Sequence, residues 1–168
     1  VKDYLTQTNL KVEPVQVTTF SEAFQAGMQI INYENWQAYG TLTESGKISP
    51  DVQQRLLNAA KTTLEQVRQA EDVKARFTQE IDELLEQYDV LILPTLPQIP
   101  PRVAEAENTV AFLNLTALVR PFNLSGHPAL NIPLQTMTGM PVGLQLVGRK
   151  NADEQLCAVA DFIIKAAH

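Results

Sequence analysis

The sequence predicts an α/β fold, with strands near residues 12–17, 89–93, 129–134 and 142–147 in a layer flanked by helices at 20–38, 50–87 and 152–166. Three observations carry this expectation. Tyr88-Asp-Val-Leu-Ile-Leu-Pro94 is an unbroken apolar run ended by proline, the pattern of a buried strand. Two further short strands, 129–134 and 142–147, are separated only by Gln135-Thr-Met-Thr-Gly139, a hairpin turn too short for a crossover, so they pair antiparallel. Helix-start signals precede the amphipathic stretches in between.

In chain order, Val12-Glu-Pro-Val-Gln-Val17 alternates apolar and polar residues, and Pro14 favours an edge strand. Thr19-Phe-Ser-Glu22 fits a capping box, in which the Thr oxygen and the Glu carboxylate satisfy free amides at a helix start. The helix behind it sets Phe24, Met28 and Ile31 on one stripe, with Trp36 near its end, and Gly40 and Glu44-Ser-Gly46 break it. Ser49-Pro50-Asp51 combines an N-cap, a first-position proline and an acid in the first turn. Thr62-Thr-Leu-Glu65 offers another capping box, which divides residues 50–87 into two helices. Leu64, Val67, Phe77, Ile81, Leu84 and Leu85 supply the apolar face of the second. Pro94, Pro97, Pro100 and Pro101 impose an extended loop, because each lacks an amide donor and restricts its predecessor. Residues 109–119 read as a short apolar helix.

At 168 residues the chain is long enough for one domain, and 45% hydrophobic residues can fill a core. Thirteen basic against 19 acidic side chains, a net charge of −6, argue against a nucleic-acid binder and against a polybasic membrane-surface protein. No segment is apolar enough to span a bilayer. Val1-Lys2-Asp3-Tyr4 has neither a signal core nor a starting Met, so the chain is expected to be processed or to begin inside a longer product. The single cysteine, Cys157, excludes an internal disulfide framework and points to a reducing cytoplasm. It falls beside Leu156 and Val159, as a small buried filler rather than a reactive thiol.

Charge is unevenly spread. Residues 51–87 carry 13 charged side chains, whereas residues 108–148 carry one, Arg120. A stretch so poor in charge is normally covered by other protein. Either part of the structure or a permanent partner is missing, or a compact core simply lies late in the chain.

Residue chemistry narrows the options further. Two histidines, His127 and His168, and one cysteine share no ligand spacing, so neither a metal nor a cofactor is expected. The seven glycines form no phosphate loop. Asn123-Leu-Ser-Gly-His-Pro128 places a hydroxyl two residues from an imidazole. An imidazole rarely folds back onto such a hydroxyl, and the sequence is not a nucleophile elbow. A turn using Gly126 for unusual dihedrals and Pro128 to set the next strand is preferred to a Ser125/His127 hydrolase.

Tyr88-Asp-Val-Leu-Ile-Leu-Pro-Thr-Leu-Pro97, Arg120-Pro-Phe-Asn-Leu-Ser-Gly-His-Pro-Ala129 and Gly139-Met-Pro-Val-Gly-Leu-Gln-Leu-Val-Gly148 resemble, in order and spacing, three blocks of the amidase signature family. With the earlier helices included, the resemblance covers essentially the whole chain. It implies a partial amidase-signature fold with a mixed β-sheet, and amide hydrolysis by a Lys, a cis-peptide Ser and a nucleophilic Ser. In the family those groups lie N-terminal to the portion seen here. This chain has no Gly-Gly-Ser-Ser run, and Ser21, Ser45, Ser49 and Ser125 lack that setting.

The resemblance therefore implies that residues 1–168 are a single segment, the C-terminal scaffold part of an amidase-signature domain whose catalytic part is absent. No residue here is expected to be catalytic, and the chain alone is expected to be inactive. By family position Thr116 and Val119 are substrate-pocket candidates, with ordinary core packing an equal alternative, and Asn123 fixes the turn by side-chain hydrogen bonds. The A subunits of glutamine-dependent tRNA amidotransferases usually carry an acid shortly before the matching Asn. Leu115-Thr-Ala-Leu-Val119 has none, which favours a hydrolase of small or aryl amides over ammonia delivery. A truncated homologue acting as a binding module is the non-enzymatic alternative. The expected partners are the chain's own N-terminal half or a second copy, through residues 94–148, and a small amide in the complete enzyme.

Overall fold

A computed structural model describes residues 2–6, 8, 10–100 and 114–166. Its elements are α1 (Lys2–Leu5), α2 (Phe20–Tyr39), a 3₁₀ turn (Gly40–Glu44), α3 (Pro50–Ala59), α4 (Leu64–Gln87), β1 (Leu91–Pro94), α5 (Arg120–Ser125), β2 (Ala129–Gln135), β3 (Pro141–Val147) and α6 (Asp153–Ala166). The α/β class and the helix, hairpin and strand order match the expectation. The three strands form one antiparallel sheet in the order β1-β3-β2. Gly139, at φ 79°, closes the hairpin in a conformation that costs glycine no Cβ clash.

β3 is central, and its alternation sorts the core into two layers. Leu144 and Leu146 point to one face, where Ile132 of β2 and Leu156, Ala160 and Ile163 of α6 bury them. Val147 points to the other, joining Leu91 of β1, Ala23 of α2, Phe77, Ile81 and Leu85 of α4, and Phe122 of α5. Phe20, Phe77 and Phe122 pack in that second layer with ring centroids 5.8–6.0 Å apart. Helices thus pack against both faces of a small sheet.

Several local expectations are corrected. Residues 12–17 are irregular and largely exposed, with no strand partner. Alternation supplied a side-chain pattern but no neighbouring edge to pair with. The capping box expected at Thr19 and Glu22 does not form, because Thr19 makes no side-chain cap. Instead Glu80 of α4 receives the Thr18 amide at 2.6 Å, the Thr18 hydroxyl at 2.9 Å and the Thr19 amide at 3.1 Å, together with the Thr19 hydroxyl. Glu22 pairs with Arg76 at 2.7 Å.

The box at the start of α4 does form, one residue later than expected, between Thr63 and Gln66. On α2 the buried residues are Ala23, Ala26 and Gly27, while Phe24 and Met28 are half-buried and Ile31 is exposed. Small residues let α2 lie close to α4 and α5, displacing the predicted stripe. Leu64 is exposed at the first turn of α4. Cys157 is exposed on α6, because Leu156, Ala160 and Ile163 take the inward face. The helix expected over 109–119 falls mostly outside the described residues; from 114 the chain turns into α5.

Candidate functional site

α5 ends at Gly126, whose left-handed φ of 76° lets its amide return to the Phe122 carbonyl at 2.9 Å. That reversal aims Ser125 and His127 at each other. Ser125 Oγ and His127 Nδ1 are 2.8 Å apart, and His127 Nε2 is 3.0 Å from Asp82 Oδ1 on α4. Lys150 Nζ reaches the same carboxylate at 3.1 Å. The imidazole therefore does fold back onto the hydroxyl, contrary to the local expectation. The left-handed glycine shortens the path, and Asp82 holds the far side of the ring.

Ser125, His127 and Asp82 resemble a nucleophile, base and orienting acid in contact order only. A nucleophile must reach substrate, and Ser125 is 7% exposed, with its hydroxyl also 3.3 Å from the Phe122 carbonyl. The set is a hydrogen-bond chain that ties the α5–β2 turn to α4. Burial lowers the His127 pKa, and the Asp82 hydrogen bond opposes this. A neutral ring accepts from Ser125 at Nδ1 and donates from Nε2 to Asp82. Burial would raise the Asp82 pKa, but hydrogen bonds from Lys150 and His127 outweigh it and leave the carboxyl below its ordinary range. Asp82 and Lys150 carry no local motif; only the packing of α4 against the turn identifies them.

The turn before α5 is fastened to the sheet from below. Gln145, buried on β3, donates to the Leu118 carbonyl at 2.9 Å. This places Thr116 and Val119, both half-buried, beside the helix-covered face of the sheet. Thr116 Oγ1 accepts from Arg120 Nη2 at 2.9 Å. Past Gln145 that face turns polar: Thr95 donates to Asn131 Oδ1, and Gly143 leaves the room these two side chains fill. Asn131 is exposed although it shares a face with buried Gln145 and Val147.

The Asn123 side chain is exposed, on the wall of an open cavity of about 490 Å³ shared with His127 and Asn151. Among the described residues it makes no turn-fixing hydrogen bond; the Gly126 amide, bonded to the Phe122 carbonyl, holds the turn instead. A second cavity of about 530 Å³ lies between the prolines after β1 and the hairpin, lined by Pro94, Leu96, Leu134 and Val142 among others. Among the described residues no helix is long and apolar enough to cross a membrane.

Comparison with known proteins places this arrangement. The A subunit of glutamyl-tRNA(Gln) amidotransferase from Archaeoglobus fulgidus is 25% identical over 135 residues, 77% of this chain and 30% of that protein. The Thermotoga maritima protein of the same name is 31% identical over 93 residues, 55% of this chain and 20% of that protein. Its crystal structure superposes with a TM-score of 0.72 at 24% identity, covering 92% of this chain and 34% of the other. The Kluyveromyces lactis urea amidolyase structure shares the fold with a TM-score of 0.84 at 22% identity, covering 99% of this chain and 10% of the other. The chain thus spans less than a third of the length of these curated relatives. The profile of the Amidase family matches residues 2–157, nearly the whole chain, and the chain belongs to that family.

Proposed function

We propose that residues 1–168 form the C-terminal scaffold and pocket wall of an amidase that hydrolyses carbon–nitrogen amide bonds. The observation that carries this reading is the open polar stretch of sheet around Thr95, Asn131 and Gly143, flanked by the turn at Thr116 and Val119. The three family-like blocks, separate in sequence, are joined along β3: at its start Thr95 donates its amide to the Gly143 carbonyl at 3.0 Å, and just past its end Gly148 donates to the Pro128 carbonyl at 3.0 Å. A scaffold half should present such a face to the segment bearing the nucleophile. That segment supplies the Lys and paired Ser of the family, and Thr116 and Val119 wall the acyl pocket. A small amide is the substrate. The partner is the chain's own N-terminal half, or a second copy joined through residues 94–148.

The names of the curated relatives favour a second reading, the A subunit of a glutamine-dependent tRNA amidotransferase. Thr116 speaks against it, since it stands in a segment where those subunits usually carry an acid.

The test compares the purified chain with the same chain supplied with the Ser-rich segment of an amidase. The chain alone should give no turnover above buffer on aryl or aliphatic amides, because loss of nucleophile and base costs many orders of magnitude. The completed protein should hydrolyse small amides. Glutamine-dependent ammonia release without amide hydrolysis would select the second reading. Turnover by the chain alone that disappears in Ser125→Ala would overturn both.

A further inference from the structure

Among the described residues Arg120 is a half-buried cation without an anion. Its stem lies against Gly27 of α2, where an added Cβ would stand 3.2 Å from Arg120 Cγ. Its guanidinium carbon is 5.6 Å from the Phe24 ring centroid, a cation–π distance. Thr116 Oγ1 takes one Nη2 proton, but Nε is buried and has no acceptor. Arg76, Lys74, Lys150 and Lys165 each have a carboxylate within 4 Å, whereas among the described residues Arg120 has none. Glu22, on the same helix as Phe24 and Gly27, is committed to Arg76. A guanidinium has a planar fork of donors that matches a carboxylate, and burying it unpaired is costly. Burial alone pulls its pKa down, with no acid to restore it. Arg120 is also the one charge in residues 108–148.

We propose that Arg120 recognises the carboxylate of a small ligand on its Nε edge, beside the wall formed by Thr116 and Val119. This rests on the amidase reading, in which that wall faces substrate, and it narrows the substrate class to amides that carry a second, anionic end. Phe24 and Gly27 hold the fork in place, so little ordering is needed on binding. Thr116 Oγ1 holds Nη2, which leaves Nε–H as the unpaired donor.

The test is a titration of the ¹⁵N-labelled chain, following the Arg120 Nε–Hε signal, which is assigned by its loss in Arg120→Gln. Succinamate, an amide with a carboxylate, should move this signal saturably. Butyramide, nearly the same size without the charge, should not. Arg120→Lys keeps the stem and the charge but loses the fork, and it should bind succinamate at least about tenfold more weakly while remaining folded. Equal shifts with butyramide, equal shifts with sulfate, or no shift at millimolar succinamate would each overturn the proposal. So would a shift caused by the added Ser-rich segment without ligand, because the carboxylate would then come from protein. The readout is binding, so amide turnover by the completed protein with an unmoved Arg120 signal defeats this inference alone. Succinamate binding by the chain, with no amide turnover by the completed protein, defeats the amidase reading instead.

Discussion

Because burial holds the His127 pKa below its ordinary 6.5, the imidazole stays neutral in the folded chain at pH 7. Unfolded, it titrates near 6.5, so between that value and the folded one the unfolded chain binds the extra proton. Stability from this group is complete above pH 6.5 and is lost as pH falls toward the folded pKa, by at most about 1.4 kcal/mol per pH unit. Asp82, also lowered, adds a later loss below 3.8. Urea midpoints should therefore fall from pH 7.5 to 5.5 in the parent, and fall less in His127→Gln. Identical slopes would remove His127 from the acid response. A second site tests the sheet: a Cβ at Gly143 would overlap Asn131 Oδ1 and Thr95 Oγ1. Gly143→Ala should cost about 1–3 kcal/mol, read as a lower Tm. An unchanged Tm would mean that this pair moves aside freely. The Ser125–Gly126–His127 run was visible as a turn, but its bond to Asp82 joins residues 45 positions apart. Local spacing could not show it.

Helix starts expose the same boundary between neighbours and distant partners. Pro50 and Asp51 stand in the first turn of α3 as expected, although the Ser49 side chain makes no cap hydrogen bond, and the box at α4 closes within its own turn one residue on, so local pattern was sufficient to find both helices. At α2 the caps come from Glu80, on another helix. Burial works to raise the Glu80 pKa, and the hydrogen bonds from Thr19 and Thr18 more than reverse it. Glu80→Ala should therefore loosen the start of α2 from α4 and cost about 1–3 kcal/mol in urea denaturation. A Glu80→Ala midpoint equal to the parent's would show that water replaces the carboxylate without loss. Phe24 and Ile31 had the right period for a core stripe, yet Ala23, Ala26 and Gly27 are buried in their place. Period identifies a helix; the shape of the facing helix chooses which side of it is hidden.

Among the described residues the sheet has three strands, so β1 and β2 are its edges, with the polar stretch at Asn131 exposed beside them. Free edges invite backbone pairing, and uncovered faces invite burial. The chain is expected to self-associate or to bind the Ser-rich segment, through residues 94–148 rather than the charged helices α3 and α4. Light scattering across a concentration series checks this. A strict monomer that also ignores the added segment would mean that the sheet is stable as a three-stranded unit.

Strand order in the hairpin, the division at residues 60–63 and the closing helix follow from period, proline and glycine, which act between residues close along the chain. The family blocks were legible for a similar reason: each is a contiguous run. The Glu80 clasp, the Asp82–His127–Ser125 chain and the isolation of Arg120 were not, because each depends on which helix faces which. Hydrogen bonds and ion pairs act over a few ångströms in space, and only folding decides which distant residues come that close.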